Sequence, residues 1–394
     1  MNNFNYYAPT KVIFGASREN EIGTLIKEQQ CKKVLIHYGG QSAIKSGLID
    51  RVRASLNEAN INYIELGGVV PNPRLSLVYK GIELCKQEQV DFILAVGGGS
   101  VIDSAKAIGY GVANEGDVWD YYEYTRVPTS CLPIGVILTI SAAGSEMSNS
   151  SVITNDNTNI KRGYSSDYAR PKFAIMNPEL TMTLPDYQTS CGTVDILMHT
   201  MERYFTKEGT SDLTDNLAEA LLKNVMHFGK ILVENPKDYK ARAEIMWAGS
   251  LSHNGLMACG TKDNGDWSTH KLEHELSGMF DVAHGAGLAA IWATWARYVY
   301  LEGKDRFLKF ALNVMEIPYT NNDDTTINLG INKMEAYFKS INMPTSIKEL
   351  GINPTAEQLI EMANKCSKAV NGTCGSIKKL HEIDMLTIYK NALK

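Results

Sequence analysis

Apolar residues fall in short unbroken runs through the first half of the chain and in helical spacing through the second. In the first half, Lys11–Phe14, Lys33–Tyr38, Ile61–Leu66, Asp91–Val96 and Leu132–Ile140 read as strands closed by glycine, proline or small polar residues. Between them, 19–29, 50–59, 75–89 and 101–110 carry the spacing of helices. Strands alternating with helices predict a parallel sheet with helical crossovers. After Ala174-Ile-Met-Asn-Pro178 the texture changes, and Leu184-Pro185 introduces helical patterns over 188–206, 212–232, 238–259, 268–279, 286–301, 327–341 and 356–370. The expected architecture is an α/β domain over 1–183 followed by an all-helical domain over 184–394. No internal repeat or low-complexity tract interrupts it.

The fourth strand runs directly into Gly97-Gly98-Gly99-Ser100 and then a helix. Glycines let a ligand approach the backbone, and a helix N-terminus offers unpaired N–H groups at the positive end of its dipole, so a phosphate or pyrophosphate suits this position. The pattern is not G-x-G-x-x-G, and a tight strand-to-helix turn is the competing reading. Leu132–Ile140 ends in a second loop of small residues, Ser141-Ala-Ala-Gly-Ser145-Glu146, at the same edge of the expected sheet. Ligands of open parallel sheets bind beyond the carboxyl ends of the strands, so two such loops point to one nucleotide site.

Candidate metal chemistry lies in the second half. His270, His274 and His284 crowd into fifteen residues of a chain with eight histidines, while Asp195 and His199 stand four apart in a predicted helix. Residues four apart share a helix face and can grip one ion. The competing readings are a capped polar pair at Asp195/His199 and a charged surface helix at Glu273 and Glu275. Val194, Ile196, Leu197 and Met198 leave little of the first helix to water, and a charge on a buried face needs a partner or an ion. Ala283 and Gly285-Ala-Gly287 leave room around His284. His37, His227, His253 and His381 stand alone and read as surface or hydrogen-bonded core residues. Imidazoles with one carboxylate and no thiolate suit Zn2+ or Fe2+.

A formal charge of −5, from 39 basic and 44 acidic residues, gives no basic surplus to hold nucleic acid or an anionic membrane. The seven scattered cysteines include no C-x-x-C pair, which argues against a structural zinc knot and for reduced thiols in a cytoplasmic protein. Neither a secretory leader nor an apolar run of about 18 residues, the length that spans a bilayer, is expected.

With these residues in view, the chain resembles the iron-containing (group III) alcohol dehydrogenases, and among them the NADPH-dependent butanol dehydrogenase and broad-range aldehyde reductase branch. Thr10–Gly15, Pro71-Asn72-Pro73, Ala95–Asp103, Gly144-Ser145-Glu146, Asp195 with His199, and His270 with His274 and His284 carry the resemblance, over essentially the whole length. It implies a Rossmann-like dinucleotide-binding domain, a helical catalytic domain, and a metal and cofactor in the cleft between them. It implies Asp195, His199, His270 and His284 as metal ligands, and His274 as a proton-relay or substrate-orienting residue. It further implies Gly97, Gly98, Gly99 and Ser100 as the pyrophosphate cradle, with Asp103, Thr139, Lys161 and Asn72 as further cofactor contacts, and a homodimer as the assembly. One departure stands out: where the family has Thr-x-Pro-Ala-Thr-Gly-Ser-Glu, this chain reads Thr139-Ile-Ser141-Ala142-Ala143-Gly-Ser-Glu146, so Ala143 lacks a hydroxyl that could bond the cofactor.

A carboxylate at the end of the second strand accepts from an NAD ribose and repels the 2′-phosphate of NADP. Residues 37–42 contain none, and Gly39, Gly40, Gln41 and Ser42 leave room and donors for a phosphate, so NADP(H) is expected over NAD(H). The expected reaction is interconversion of short-chain and medium-chain aldehydes with primary alcohols, with the hydride carried by the dinucleotide. The alternatives are a glycerol or polyol dehydrogenase, a dehydroquinate-synthase-like enzyme on the same architecture, and a non-enzymatic metal- or nucleotide-binding protein.

Overall fold

The protein is described here from a computed structural model covering residues 1–394 apart from Thr210 and Asp263. The chain divides into two compact units, Ala8–Thr183 and Leu184–Lys394, the latter joined by Met1–Tyr7. The first seven residues thus group with the helical unit, where the Asn2 N–H donates to the Gly260 carbonyl at 3.1 Å.

In the first unit the strands are β1 (Lys11–Phe14), β2 (Lys33–Tyr38), β3 (Asn62–Leu66), β4 (Phe92–Gly97), β5 (Ile134–Leu138), β6 (Ser150–Asn155), β7 (Ile160–Ser165) and β8 (Phe173–Met176). Six form a parallel sheet in the order β1-β8-β5-β4-β2-β3, and β6 pairs antiparallel with β7. The helices are α1 (Ile22–Glu28), α2 (Ser42–Lys45), α3 (Leu48–Glu58), α4 (Leu75–Gln87), α5 (Gly99–Ala113) and α6 (Trp119–Tyr122). Every residue of β4 is buried, because helices cover both faces of a parallel sheet, and its sequence is accordingly a continuous apolar run. From β2 the chain steps outward to β3, then crosses back over β2 to β4 and onward to β5. That reversal makes the carboxyl ends of β2 and β4 a topological switch point, where Gly39–Ser42 and Gly97–Ser100 emerge. The β6–β7 ribbon lies in a segment where the sequence suggests no element, since serine, threonine and glycine dilute its alternation.

The second unit contains α7 (Asp186–Tyr204), α8 (Asp212–Glu234), α9 (Tyr239–His253), α10 (Ser268–Phe280), α11 (His284–Val299), α12 (Lys304–Lys309), α13 (Asp323–Ser340), α14 (Ala356–Ala369) and α15 (Glu382–Asn391). The expected helix over 238–259 stops at His253, and Gly255 at φ 98° turns the chain into a short 3-10 segment, Leu256–Ala258. The last helix has no counterpart in the expected set. Val194, Leu197, Met198 and Met201 of α7 lie in one large apolar core with Leu272 and Leu276 of α10 and Ala286, Leu288 and Ala289 of α11. No helix among the described residues is long and apolar enough to cross a membrane.

Candidate active site

On α7, Asp195, His199 and Glu202 recur at i, i+4 and i+7 and therefore share a face. Apolar packing surrounds that face, and all three residues are buried. The Asp195 Oδ1 atom lies 3.6 Å from His199 Nδ1, 3.8 Å from His270 Nε2 on α10 and 3.7 Å from His284 Nε2 at the start of α11. These separations exceed the span of a hydrogen bond. Asp195 Oδ1, His199 Nδ1 and His270 Nε2 are all buried without a hydrogen-bond partner. Leaving such atoms unsatisfied is costly. A divalent cation holds nitrogen and oxygen donors at about 2.0–2.2 Å, which spaces tetrahedral ligands by about 3.4 Å. Asp195, His199 and His270 bring their donor atoms within 4.8 Å of one another, a set that fits a single cation, and His284 Nε2 faces the same carboxylate oxygen while grouping more closely with Glu273 and His274.

The remaining ring nitrogens of two of these histidines meet carboxylates. His270 Nδ1 lies 3.0 Å from Glu202 Oε1, which also accepts the His270 backbone N–H at 3.0 Å. His284 Nδ1 hydrogen-bonds Glu273 Oε2. Among the described residues His199 Nδ1 has no hydrogen-bond partner, and the ring packs against His253 edge-on at 4.0 Å, His270 stacked at 4.8 Å and Trp267 at 6.0 Å between centroids. Burial opposes a charged ring at both His199 and His270. At His270 the carboxylates of Asp195 and Glu202 outweigh it and push the imidazole up to about 9. At His199 burial is reinforced by His253, His270, Arg203 and His284, which holds the ring well below its ordinary range.

His274 is buried on α10, its centroid 5.9 Å from that of His284, and it groups with Glu273 and His284 rather than around Asp195 Oδ1. Among the residues that sequence reasoning set apart as solitary, His253 joins the site through its contact with His199. His37 instead sits in the α/β core between the Leu66 carbonyl and Ser104. Glu273 and Glu275, compatible by sequence with a charged surface helix, are buried. Glu202 and Glu273 were missed altogether as site residues. The i+7 spacing of Glu202 from Asp195 was the available signal for the first. The room expected around His284 is filled by protein: a Cβ at Gly285 would overlap the Cys191 carbonyl of α7, and one at Gly287 would lie 2.9 Å from Glu273 Cγ and Oε1.

In the α/β unit, α5 starts at Gly99 with no side-chain cap, so the Gly99 and Ser100 N–H groups remain available to a ligand, while that of Val101 donates to the Gly98 carbonyl at 3.0 Å. A Cβ at Gly98 would lie 2.9 Å from Ile140, and one at Gly99 would lie 3.0 Å from Ala143. The two small-residue loops are thus in contact, and the Thr139 N–H donates to the Gly97 carbonyl at 3.1 Å. Ser141 Oγ, in the second loop, is buried without a hydrogen-bond partner. Asp103 Oδ1 accepts from Ser145 Oγ at 2.6 Å and its Oδ2 accepts from the Val152 N–H at 2.9 Å. Lys106, one turn later, donates to the Ser145, Ser148 and Ser150 carbonyls at 2.8, 3.0 and 2.8 Å. Asp103 and Lys106 therefore tie α5 to the loop after β5 and to β6. Asn72 is buried with φ 53°, in a turn whose Pro73 carbonyl accepts the Thr154 N–H at 2.8 Å, and Thr154 pairs with Lys161 across β6 and β7. Beyond β2, Gly40, Gln41 and Ser42 are largely open. The nearest β3 carboxylate, Glu65, is engaged by Arg53 Nε and Nη2, both at 2.7 Å, and by Tyr38.

Residues 9–178 match the family described as iron-containing alcohol dehydrogenase, and residues 189–393 match the C-terminal part of the Fe-containing alcohol dehydrogenase family. The chain is 42% identical over 393 residues, the full length of both proteins, to the NADH-dependent butanol dehydrogenase A of Clostridium acetobutylicum. It is 33% identical over 357 residues, 90% of each chain, to the NADPH-dependent aldehyde reductase YqhD of Escherichia coli. Among solved structures, the NADH-dependent butanol dehydrogenase A from Thermotoga maritima superposes with a TM-score of 0.96 at 38% identity, covering 100% of this chain and 99% of that one.

Proposed function

Because the chain belongs to the iron-containing alcohol dehydrogenase family, we propose that it interconverts short-chain and medium-chain aldehydes with primary alcohols, with NADPH as the preferred hydride donor. Membership makes it an alcohol/aldehyde oxidoreductase that uses a nicotinamide dinucleotide and a divalent metal. The observation that carries the reading is Asp195 Oδ1 facing nitrogens of His199, His270 and His284, with Asp195 Oδ1, His199 Nδ1 and His270 Nε2 buried and unpartnered. These four residues are the proposed ligands, with Fe2+ or Zn2+ as the ion.

When bound, the dinucleotide supplies the hydride and the cation a Lewis acid that polarises the substrate oxygen. The chain's own residues do the rest. Gly97–Ser100 and the uncapped start of α5 receive the pyrophosphate. Asp103 and Lys106 hold the neighbouring loop in place, so that Ser141 presents its hydroxyl. Asn72, Thr139 and Lys161 are the further proposed cofactor contacts. His274 is assigned delivery of the proton to the oxygen of the reduced carbonyl, which completes the alcohol.

The preference for NADPH rests on Gly39–Ser42 lacking a carboxylate and on Glu65 being occupied by Arg53. A second reading, NADH, is favoured by the names of the butanol dehydrogenase relatives. A panel of aldehydes, assayed for loss of NADPH or NADH absorbance, tests substrate and cofactor together. No turnover of butyraldehyde with either dinucleotide, in metal-replete protein, would overturn the proposal. A homodimer is the proposed assembly, to be checked by light scattering.

A further inference from the structure

The metal ligands come from three helices, and something must hold those helices and their imidazoles in mutual register. On α7 the third residue of the site face, Glu202, does not point at the ion position. Its Oε1 takes both the ring Nδ1 and the backbone N–H of His270, each at 3.0 Å. His270 is the third residue of α10, whose N-cap, Trp267, offers no side-chain cap, so this N–H is one of the donors that a helix leaves unpaired. One carboxylate from α7 thus caps α10 and orients its imidazole. On α10 in turn, Glu273, fully buried, reaches forward to Nδ1 of His284, the first residue of α11. The same relation recurs from one helix to the next.

We propose that Glu202 and Glu273 are positioning residues that fix the tautomer and rotation of His270 and His284 for metal binding, an inference that rests on the proposed ligand set. The physical step is short. An ionised carboxylate can only accept a hydrogen bond, so each Nδ1 keeps its hydrogen and Nε2 is the nitrogen left to offer a lone pair to a metal. Nε2 is the nitrogen that faces Asp195 Oδ1 in both rings, at 3.8 and 3.7 Å. A carboxylate behind a ligating imidazole also raises its basicity, and losing such a partner costs about 10- to 100-fold in metal affinity. Gly287 belongs to the same device: a Cβ there would lie 2.9 Å from both Glu273 Cγ and Oε1, so only glycine leaves that carboxylate in place. His199 differs, since stacking rather than a carboxylate holds it.

The test is the dissociation constant for Co2+, by chelator competition on the metal-stripped full-length protein, with the visible spectrum of bound Co2+ as a second readout. Glu202→Ala and Glu273→Ala are expected to weaken binding about 10- to 100-fold and to shift the Co2+ bands. Glu202→Gln and Glu273→Gln, whose amide oxygen still accepts from Nδ1, should recover much of both. Gly287→Ala should weaken binding with no charge removed. Wild-type affinity and spectrum in the Ala variants, with only the melting temperature of the metal-free protein lowered, would show a purely structural role and overturn the proposal. An Asp195→Asn control separates the two layers. If wild type and Asp195→Asn bind Co2+ equally, the ligand set itself is wrong. If Asp195→Asn alone loses binding, the ligand set stands and the role of the two glutamates falls.

Discussion

His37 has no contact with solvent; its ring lies between the Leu66 carbonyl at 2.8 Å and Ser104 Oγ at 2.9 Å, and burial pushes it down to about 4. The unfolded chain takes up a proton near pH 6.5, its ordinary value, whereas the folded chain resists until about 4. Below 6.5 the unfolded state therefore binds more protons, and stability falls with falling pH across that window, by up to about 3 kcal/mol. Above it this group contributes no pH dependence. Urea midpoints for wild type and His37→Gln, followed down through this range, should diverge in slope; parallel curves would contradict the assignment. Ser141 offers a different residue-scale test. Its hydroxyl is buried and unpartnered beside Ala143, where the family pattern has threonine. Ser141→Ala is expected to weaken dinucleotide binding by about 1 kcal/mol, roughly five-fold, as read by fluorescence titration. The candidate metal-site residues were the most legible feature of the sequence, because Asp195/His199 and His270/His274 carry helical spacing, while the separation of His274 from the proposed ligands came from the family resemblance and not from spacing. Their supporting residues were less so: Glu273 looks like any charged helix position until its burial is known, and His253 reaches His199 only through the tertiary packing of α9.

At the scale of elements, the site depends on how closely α11 approaches α7. Gly285 presses on the Cys191 carbonyl with no room for a Cβ. Gly285→Ala is therefore expected to displace the start of α11 and with it His284. It should cost about 1–3 kcal/mol of stability, seen in thermal melts, and lower metal content by elemental analysis. A variant with unchanged melting and full metal would contradict this packing. Five of the six strands of the parallel sheet and most helices could be read within a few residues, because β2, β4 and β5 are apolar runs and α7, α8 and α10 keep their period; the four-residue β8 was not among the expected strands. The β6–β7 ribbon could not, since Ser150-Ser-Val-Ile-Thr-Asn155 lacks a clean alternation and is held by Asp103 and the Pro73 turn rather than by its own pattern.

At the scale of the molecule, sequence order alone placed a parallel α/β unit before a helical one, while the grouping of Met1–Tyr7 with the helical unit depends on contacts such as Asn2 to Gly260 that no local pattern encodes. Cofactor choice belongs to this scale, because it couples the switch point of the sheet to turnover. The open Gly40–Ser42 segment after β2 and the pairing of Glu65 with Arg53 predict a higher kcat/KM with NADPH than with NADH. Clearly better turnover with NADH would instead align the chain with its butanol dehydrogenase relatives in this respect. The central claim is that Asp195, His199, His270 and His284 hold one divalent metal on which aldehyde reduction depends. Its most direct test is metal content and NADPH-dependent butyraldehyde reduction, measured together on wild type and Asp195→Asn. Near-stoichiometric metal with activity in wild type, and loss of both in the variant, is the predicted result; an Asp195→Asn protein that lacks metal yet keeps full activity would contradict it.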